Sequence, residues 1–366
     1  MTLEDLALIF VRGIGSRGAA HLVDHFGSAE EVYAASRAAL VGDAGLRPEL
    51  AERIVAGEGM REAEEEVRYC RKHDIRIISA TDAEYPVPLR ETSDRPHVLF
   101  VHGNVDALAM RTLSVVGTRE ISPSGLHITD KLIGDLADAI SDICIVSGLA
   151  YGVDGAAHRA ALTHGATTVA VIASILPEVT PAPHRALAED IVRHGGAIVS
   201  ELHSRTKQNG NLFISRNRII AGLSTGLVVI ESPATGGSLA TAEMADSYGR
   251  AVMAVPGRLT DSTSFGSNNL IRSGKARLIL SANDIIDDLG WEHTTPKPAP
   301  ITQHDGDNLT ASQRLIISAF DSATTLDHAA ILAATGLSIG ELAMEMMELE
   351  LKGHIRALPG KRYEKV

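Results

Sequence analysis

From about residue 75 to residue 290 the chain alternates short apolar runs with longer helical stretches, and nothing else in it limits the fold so strongly. The runs are "IRIIS", "HVLFVHG", "TLSVVG", "DICIVSG", "TTVAVIA", "GAIVSE", "TGLVVIES" and "RAVMAVPG". Most are continuously apolar instead of alternating, and most end at small residues. Strands buried on both faces look like this, and they belong in a parallel sheet covered by helices on both sides. The middle of the chain is therefore predicted to be doubly wound α/β. Hydrophobic residues make up 45% of the sequence and aromatics only 4%, so the core has to be built from Ala, Val, Ile and Leu.

The flanks read differently. Residues 1–70 are short helices. "RGIGSRGAAHLVDHFGS" places Gly13 and Gly15 in a tight turn before an apolar-periodic run, the order of a helix-hairpin-helix, with Asp24 and Glu30 close by. Such a turn either presents backbone N–H groups to a phosphate or serves packing and protein contact. "YPVPLRETSDRP", rich in proline, is expected to be irregular and without helix. Residues 71–290 form the α/β domain, and residues 291–308, rich in Pro and Thr, a linker. Residues 309–366 read as three helices and a hairpin, the order of a winged helix. Its third helix is acidic, with Glu341, Glu345, Glu348 and Glu350, and the module is expected to contact protein or to regulate instead of reading duplex DNA.

Composition narrows the function. The formal net charge of -12 argues against bulk coating of nucleic acid but leaves room for a local basic groove. Cys70 and Cys144 are too few and too far apart in sequence for a disulfide framework or a cysteine zinc site, which fits a reduced cytoplasm. The first residues do not read as a signal peptide, and no apolar run reaches spanning length, so no membrane insertion is expected.

In open α/β sheets ligands collect at the carboxyl ends of the strands. Here those ends share one composition. "VVGTREISPSG" supplies Gly117, Thr118 and Arg119, "IVSGLAYGVDGAAH" supplies Ser147, Gly148 and Gly152, and "ESPATGGSLATAEMA" supplies Gly236, Gly237, Ser238 and Thr241. One such loop is an ordinary tight βα turn. Three on one sheet edge, with arginines nearby, point to a site for phosphates, because glycine allows close approach and helix starts attract anions.

The arginines stand in "FISRNRIIAGLSTG". Read as an extended lead-in to a helical run, the segment turns Arg216 and Arg218 toward one groove and Asn217 away from it. Surface ion pairs are the competing account of both arginines. Arg205, Lys207, Arg272 and Lys275 add positive charge in loop-like sequence, and Phe213 is either a core anchor or a base-stacking platform. His158 follows Asp154 by four residues, which one helix face can carry as a cap and a satisfied core histidine. No metal-ligand spacing, Walker lysine motif or nucleophile elbow occurs, and neither a metal nor a cofactor is implied.

"SVVGTR", "IVSGLAYGVDGAAHRAAL", "FISRNRIIAGLS", "GGSLATAEMA", "AVPG" and "GSNNLIRSG" follow one another in that order. From about Tyr85 to about Ile286 the chain resembles the DNA-processing protein A (DprA/Smf) family. The resemblance implies an extended Rossmann-like, mostly parallel sheet with a helix-hairpin-helix or SAM-like N-terminal domain and a winged-helix-like C-terminal domain. It implies a cytoplasmic, dimeric single-stranded-DNA binder, without established enzymatic activity, that protects incoming strands in natural transformation and helps load the recombinase RecA. The family's DNA pocket maps onto Gly117, Thr118, Arg119, Ser147, Gly148, Phe213, Arg216, Asn217, Arg218 and the loop Gly236–Ser238. The chain departs from the family in having Ser174 and no Tyr-Pro after the third strand of the fold, Ile214 in place of Pro, and Gly237 in place of Ser.

A rival reading is a nucleotide phosphoribohydrolase-like enzyme, to whose Gly-Gly-x-Gly-Thr-x-x-Glu loop "ATGGSLATAEMA" is distantly similar. Glu243 would be its carboxylate, but Leu239 and Ala240 replace the second Gly-Thr step.

Overall fold

A computed structural model describes residues 1–207, 209–294, 309–320, 325–351, 354–358 and 362–365. The chain divides into two compact units, Met1–Lys297 and Pro298–Val366. Residues 295–308, most of the expected linker, lie outside the described residues.

In the first unit, α1 (Leu3–Phe10), α2 (Gly15–Phe26), α3 (Ala29–Ala34), α4 (Arg37–Gly42), α5 (Pro48–Val55) and α6 (Met60–Lys72) precede the sheet. Leu8, Leu22, Val32, Leu40 and Ile54 form their shared core. They do not pack alone: Leu6 of α1 and Ala63 and Cys70 of α6 join Phe100, Ile172 and Leu187 in a cluster against the sheet. His97 adds a polar tie, its Nε2 2.9 Å from Asp5 Oδ1 and its backbone N–H donating to Ser16 Oγ at 2.9 Å.

The sheet comprises β1 (Arg76–Ser79), β2 (Val98–Gly103), β3 (Arg111–Val116), β4 (Ile143–Ser147), β5 (Thr167–Val171), β6 (Ala197–Ser200), β7 (Gly226–Val229), β8 (Ala251–Ala254) and β9 (Arg277–Leu278). Their spatial order is β1-β2-β6-β5-β4-β3-β7-β8-β9. All neighbours pair in parallel except β1 with β2 and β2 with β6. The helices between them are α7 (Val87–Arg90), α8 (Pro123–Ala139), α9 (Val153–Thr163), α10 (Arg185–Arg193), α11 (Asn211–Leu223), α12 (Gly237–Ser247), α13 (Phe265–Arg272) and α14 (Ala282–Asp288). Every residue of β4, β6 and β7 is buried, as continuous apolar runs require.

Successive side chains leave a strand on opposite faces. Val116, Val146, Val171 and Val229 therefore meet Ile219, Ile220, Ala242 and Ala245 of α11 and α12. Leu113, Val115, Ile145 and Val228 meet Leu132, Leu136, Val153, Ala157 and Ile285 of α8, α9 and α14. The chain order runs outward in one direction from β3 to β6 and in the other from β7 to β9, so it reverses at β3. A crevice opens there, beyond the carboxyl ends.

One expectation is corrected and one strand is added. The proline-rich stretch before β2 contains the short helix α7, because its prolines fall at positions where no intrahelical N–H is needed. The two-residue strand β9 is too short to carry a sequence signal.

The second unit contains α15 (Ala311–Ala319), β10 (Thr325–Asp327), α16 (His328–Thr335), α17 (Ile339–Leu351), β11 (Ile355–Leu358) and β12 (Arg362–Lys365). Ile316, Phe320, Ile331, Leu342, Met346 and Leu349 make its core. The sequence reading lacked β10, which pairs with β12 and adds a third strand to the hairpin. Among the described residues no single helix is long and apolar enough to cross a membrane.

Candidate nucleic-acid interface

A cavity of about 400 Å³ lies at the reversal point. Gly117, Thr118 and Arg119 border it from the turn after β3, and Arg216 and Asn217 from α11. Gly236, Gly237 and Ser238 close it from the turn leading into α12.

The turn after β3 is held by backbone. The Thr118 N–H donates to the Glu231 carbonyl at 2.7 Å, and the Val153 N–H donates to the Thr118 carbonyl at 3.1 Å. Gly152 makes this crossing possible. Its φ is +74°, and a Cβ would sit 2.1 Å from the Thr118 carbonyl oxygen. The buried Glu231 carboxylate accepts from the Ser122 N–H at 2.9 Å and from the Ser122 hydroxyl. Ser122 caps α8, so Glu231 fixes the far end of the same loop.

α12 begins differently. No side chain caps it, and its first turn has no acidic residue. Ser238 Oγ instead lies 2.9 Å from Ser232 Oγ. Gly237 and Ser238 of its first turn border the cavity, where a helix start carries unpaired N–H groups and partial positive charge. Arg119 is exposed, and among the described residues no carboxylate pairs with it.

Arg216 is a different kind of arginine. It is 6% exposed and donates from Nη1 to the Gly148 carbonyl at 2.5 Å and to the Val171 carbonyl. A Cβ on residue 148 would sit 2.3 Å from that Nη1, so Gly148 is the gap in which the guanidinium lies. Asp154 crowds the same point from α9 and accepts from the Ala150 N–H at 3.3 Å. Burial pushes the Arg216 guanidinium below its ordinary value, Asp154 opposing and Arg119 adding to the shift. An arginine stays protonated through such a shift. Burial pushes the Asp154 carboxyl up, against the pull of Arg216 and of neighbouring N–H groups.

The extended lead-in is corrected. "FISRNR" lies inside α11, and residues two apart on a helix point about 200° apart. Arg216 and Arg218 therefore do not share a groove. Arg218, also 6% exposed, turns to the other side and pairs with Glu201. Asn217 does not turn away from the site. It faces the cavity rim, accepting from Arg216 Nε at 3.2 Å and donating to the Gly237 carbonyl at 3.4 Å.

Of the other expected residues, Ser147 is buried with its hydroxyl donated to the Val115 carbonyl at 2.7 Å. Gly148 acts through Arg216. Lys207 is exposed in the loop before α11, and Arg205 of that loop pairs with Glu65. Phe213 is 37% exposed, which rules out the core anchor. Lys275 pairs with Glu243 at 3.6 Å, and neither residue borders the cavity. The hydrolase reading thus loses the placement of its carboxylate. His158 is wholly buried, its Nδ1 2.7 Å from Thr168 Oγ1, while its Nε2 has no partner among the described residues. Asp154 is not a cap, since Gly152 holds that position. The sequence reading missed Asp154 as a cavity residue and Glu231 altogether. A carboxylate at the end of an apolar strand was the available signal for Glu231.

Residues 76–290 match the family DNA recombination-mediator protein A, and residues 296–361 match the DprA winged helix domain. Protein Smf of Escherichia coli is 35% identical over 288 residues, 78% of this chain and 76% of that one. DNA processing protein DprA of Streptococcus pneumoniae is 39% identical over 209 residues, 57% of this chain and 72% of its own length. The crystal structure of DprA from S. pneumoniae superposes with a TM-score of 0.68 at 31% identity, covering 78% of this chain and 98% of that one. DNA processing protein A from Helicobacter pylori, described for its single-stranded-DNA binding mode, superposes with a TM-score of 0.52 at 26% identity, covering 59% and 95%. By sequence and by fold, the chain belongs to the DNA recombination-mediator protein A (DprA/Smf) family.

Proposed function

We propose that this recombination mediator binds single-stranded DNA, and that the strand-end cavity holds its sugar-phosphate backbone. The observation that carries the reading is the combination of an exposed, unpaired Arg119 with the uncapped start of α12. Arg119 supplies a mobile cation for one phosphate, and the N–H groups of Gly237 and Ser238 supply fixed donors. Arg216 does not contact phosphate directly. It holds the Gly148 and Val171 carbonyls in place and adds its charge from beneath. Contacts of this kind carry no sequence information and are salt-dependent. The formal net charge of -12 over the whole chain disfavours indiscriminate coating by nucleic acid, so a local basic edge is where attraction would act.

The related Helicobacter protein, described as a single-stranded-DNA binder, supports the choice of ligand. RecA as partner, a homodimer, a cytoplasmic location and the absence of catalysis extend the proposal and rest on kinship with the family. The test is fluorescence anisotropy with labelled oligo-dT and the matching duplex. The single strand is expected to bind more tightly, and Arg119→Ala to weaken it. Equal affinity for both forms, unaffected by the substitution, contradicts the proposal. Static light scattering tests the dimer, which a monomer at working concentration contradicts.

A further inference from the structure

The side of α11 turned away from the strand-end cavity borders a second hollow, of about 620 Å³. Ile14, at the turn joining α1 to α2, and Ser16, in the first turn of α2, form one wall, and Leu202, Ile214 and Met244 form much of the rest. Arg218 and Glu201 line it as well. Arg218 donates from Nη2 to Glu201 Oε2, and its Nε lies 3.9 Å from Asp94. Arg17 of α2 donates to Asp94 at 2.8 Å, and the Tyr248 hydroxyl donates to it as well. Two cations offset two carboxylates, so the hollow has no net attraction for a phosphate.

Its hydrogen bonding is incomplete. Among the described residues Nη1 of the buried Arg218 has no partner, and Arg218 engages the Glu201 carboxylate through Oε2, leaving Oε1 for another donor. A buried donor without an acceptor is destabilising, and a ligand that supplies the acceptor gains what the folded chain lacks. The fitting ligand is flat, apolar on its faces, uncharged, and carries an acceptor beside a donor on one edge. Every nucleobase has such an edge, and apolar side chains can sandwich its faces.

The two hollows are separated by the width of one helix, about 10 Å. The N-terminal turn of α11 between them contains no acidic residue and exposes Phe213 at 37% and Ile214 at 59%. We propose that the second hollow is a nucleobase subsite for the same strand, reached over that turn with Phe213 as a stacking face. The inference rests on the function proposed above. It gives the helix-hairpin turn a role as the wall of a base slot instead of a phosphate clamp. It also makes the N-terminal helices part of the binding site.

The test is anisotropy of the full chain with oligo-dT of increasing length. Wild type is compared with Met244→Trp, which fills the hollow, and Ile214→Glu, whose exposed position secures folding. Wild-type affinity is expected to rise about tenfold once the strand is long enough to cross α11, the worth of one stacked base. Both variants are expected to lose that rise and keep wild-type affinity for the shortest strands. A rise that survives in both variants overturns the subsite. So does its absence in wild type while short strands still bind through Arg119, as expected if the hollow takes an extended peptide. Failure of short strands to bind wild type at all overturns the strand-end reading instead. Photocrosslinking with 4-thiothymine gives an independent readout. Adducts in the α1–α2 turn or on Met244 are expected, and adducts confined to the strand-end cavity overturn the subsite.

Discussion

Arg216 and Arg218 stand two residues apart on α11 and meet opposite environments. Arg216 faces a wall of backbone, where the Gly148 and Val171 carbonyls take its N–H groups. Arg218 faces side chains, where Glu201 and Asp94 balance it. Both are buried, and both are held by the protein. Arg119, exposed on a loop, pairs with no carboxylate among the described residues and is the arginine proposed to meet a ligand. A pair of arginines in a motif is thus weak evidence for two ligand contacts. On the first side the scaffold is glycine and main chain, tolerant of no added atom; on the second it is an ion-pair network whose members can be replaced only together.

The sharpest way to break this contrast is Gly152→Ala. The added methyl meets the Thr118 carbonyl at 2.1 Å while φ is +74°. A cost above about 4 kcal/mol is expected, seen as loss of soluble protein or a collapsed urea midpoint. Near-normal stability would mean that the crossing of the two loops is not fixed by backbone.

Arg218→Met comes next. It keeps the bulk of the side chain and strands Glu201, so about 3–5 kcal/mol of stability should go. A urea titration measures the loss, and affinity for the shortest oligonucleotides should persist. The double variant Arg218→Met/Glu201→Leu should recover much of the stability, because replacing a buried pair by apolar groups is often neutral.

The backbone side also predicts a pH dependence. Thr168 donates its hydroxyl to the Ile145 carbonyl, so His158 Nδ1 is the donor to Thr168 and Nε2 stays unprotonated. Burial, with His184, Arg159 and Arg216 adding, lowers the His158 pKa from 6.5 to about 3. An unfolded chain takes up this proton below pH 6.5 and the folded chain only near 3. The stability from neutral His158 is therefore complete above 6.5 and lost as pH falls toward 3, a change on the order of a few kcal/mol. Chemical denaturation across this range should show the loss in wild type and a smaller one in His158→Gln. Equal pH dependence of the two would remove the histidine from the account.

The smallest effect expected is none. The third helix of the C-terminal unit, α17, exposes Met344, Met347, Glu341 and Glu350. Such a face repels a major groove and suits a protein partner. Residues 309–366, expressed alone, should show no duplex binding by mobility shift, and a clear shift would contradict this.

The doubly wound sheet was legible because both-face burial writes itself as continuous apolar runs, as in β4 and β7. Strand order was not, since the antiparallel joining of β2 to β6 depends on contacts far apart in sequence. The Gly and hydroxyl loops announced the cavity through composition. What the motif could not convey was direction. The helix starts at Asn211, before its apolar pattern becomes readable, and so the facing of Arg216, Asn217 and Arg218 was misjudged. Asp154 and Glu231 were obscure for a related reason, as their partners come from other loops.

The central claim is that Arg119 and the start of α12 grip phosphates while Arg216 and Arg218 hold the scaffold. The most direct test is the slope of log Kobs against log salt for oligo-dT, in wild type and in Arg119→Ala. The account predicts a negative slope in wild type that becomes shallower by about 0.7 in the variant, the worth of one phosphate contact on a single strand, with thermal stability unchanged. Identical slopes and affinities in the two proteins would contradict it and place the phosphates elsewhere on the chain.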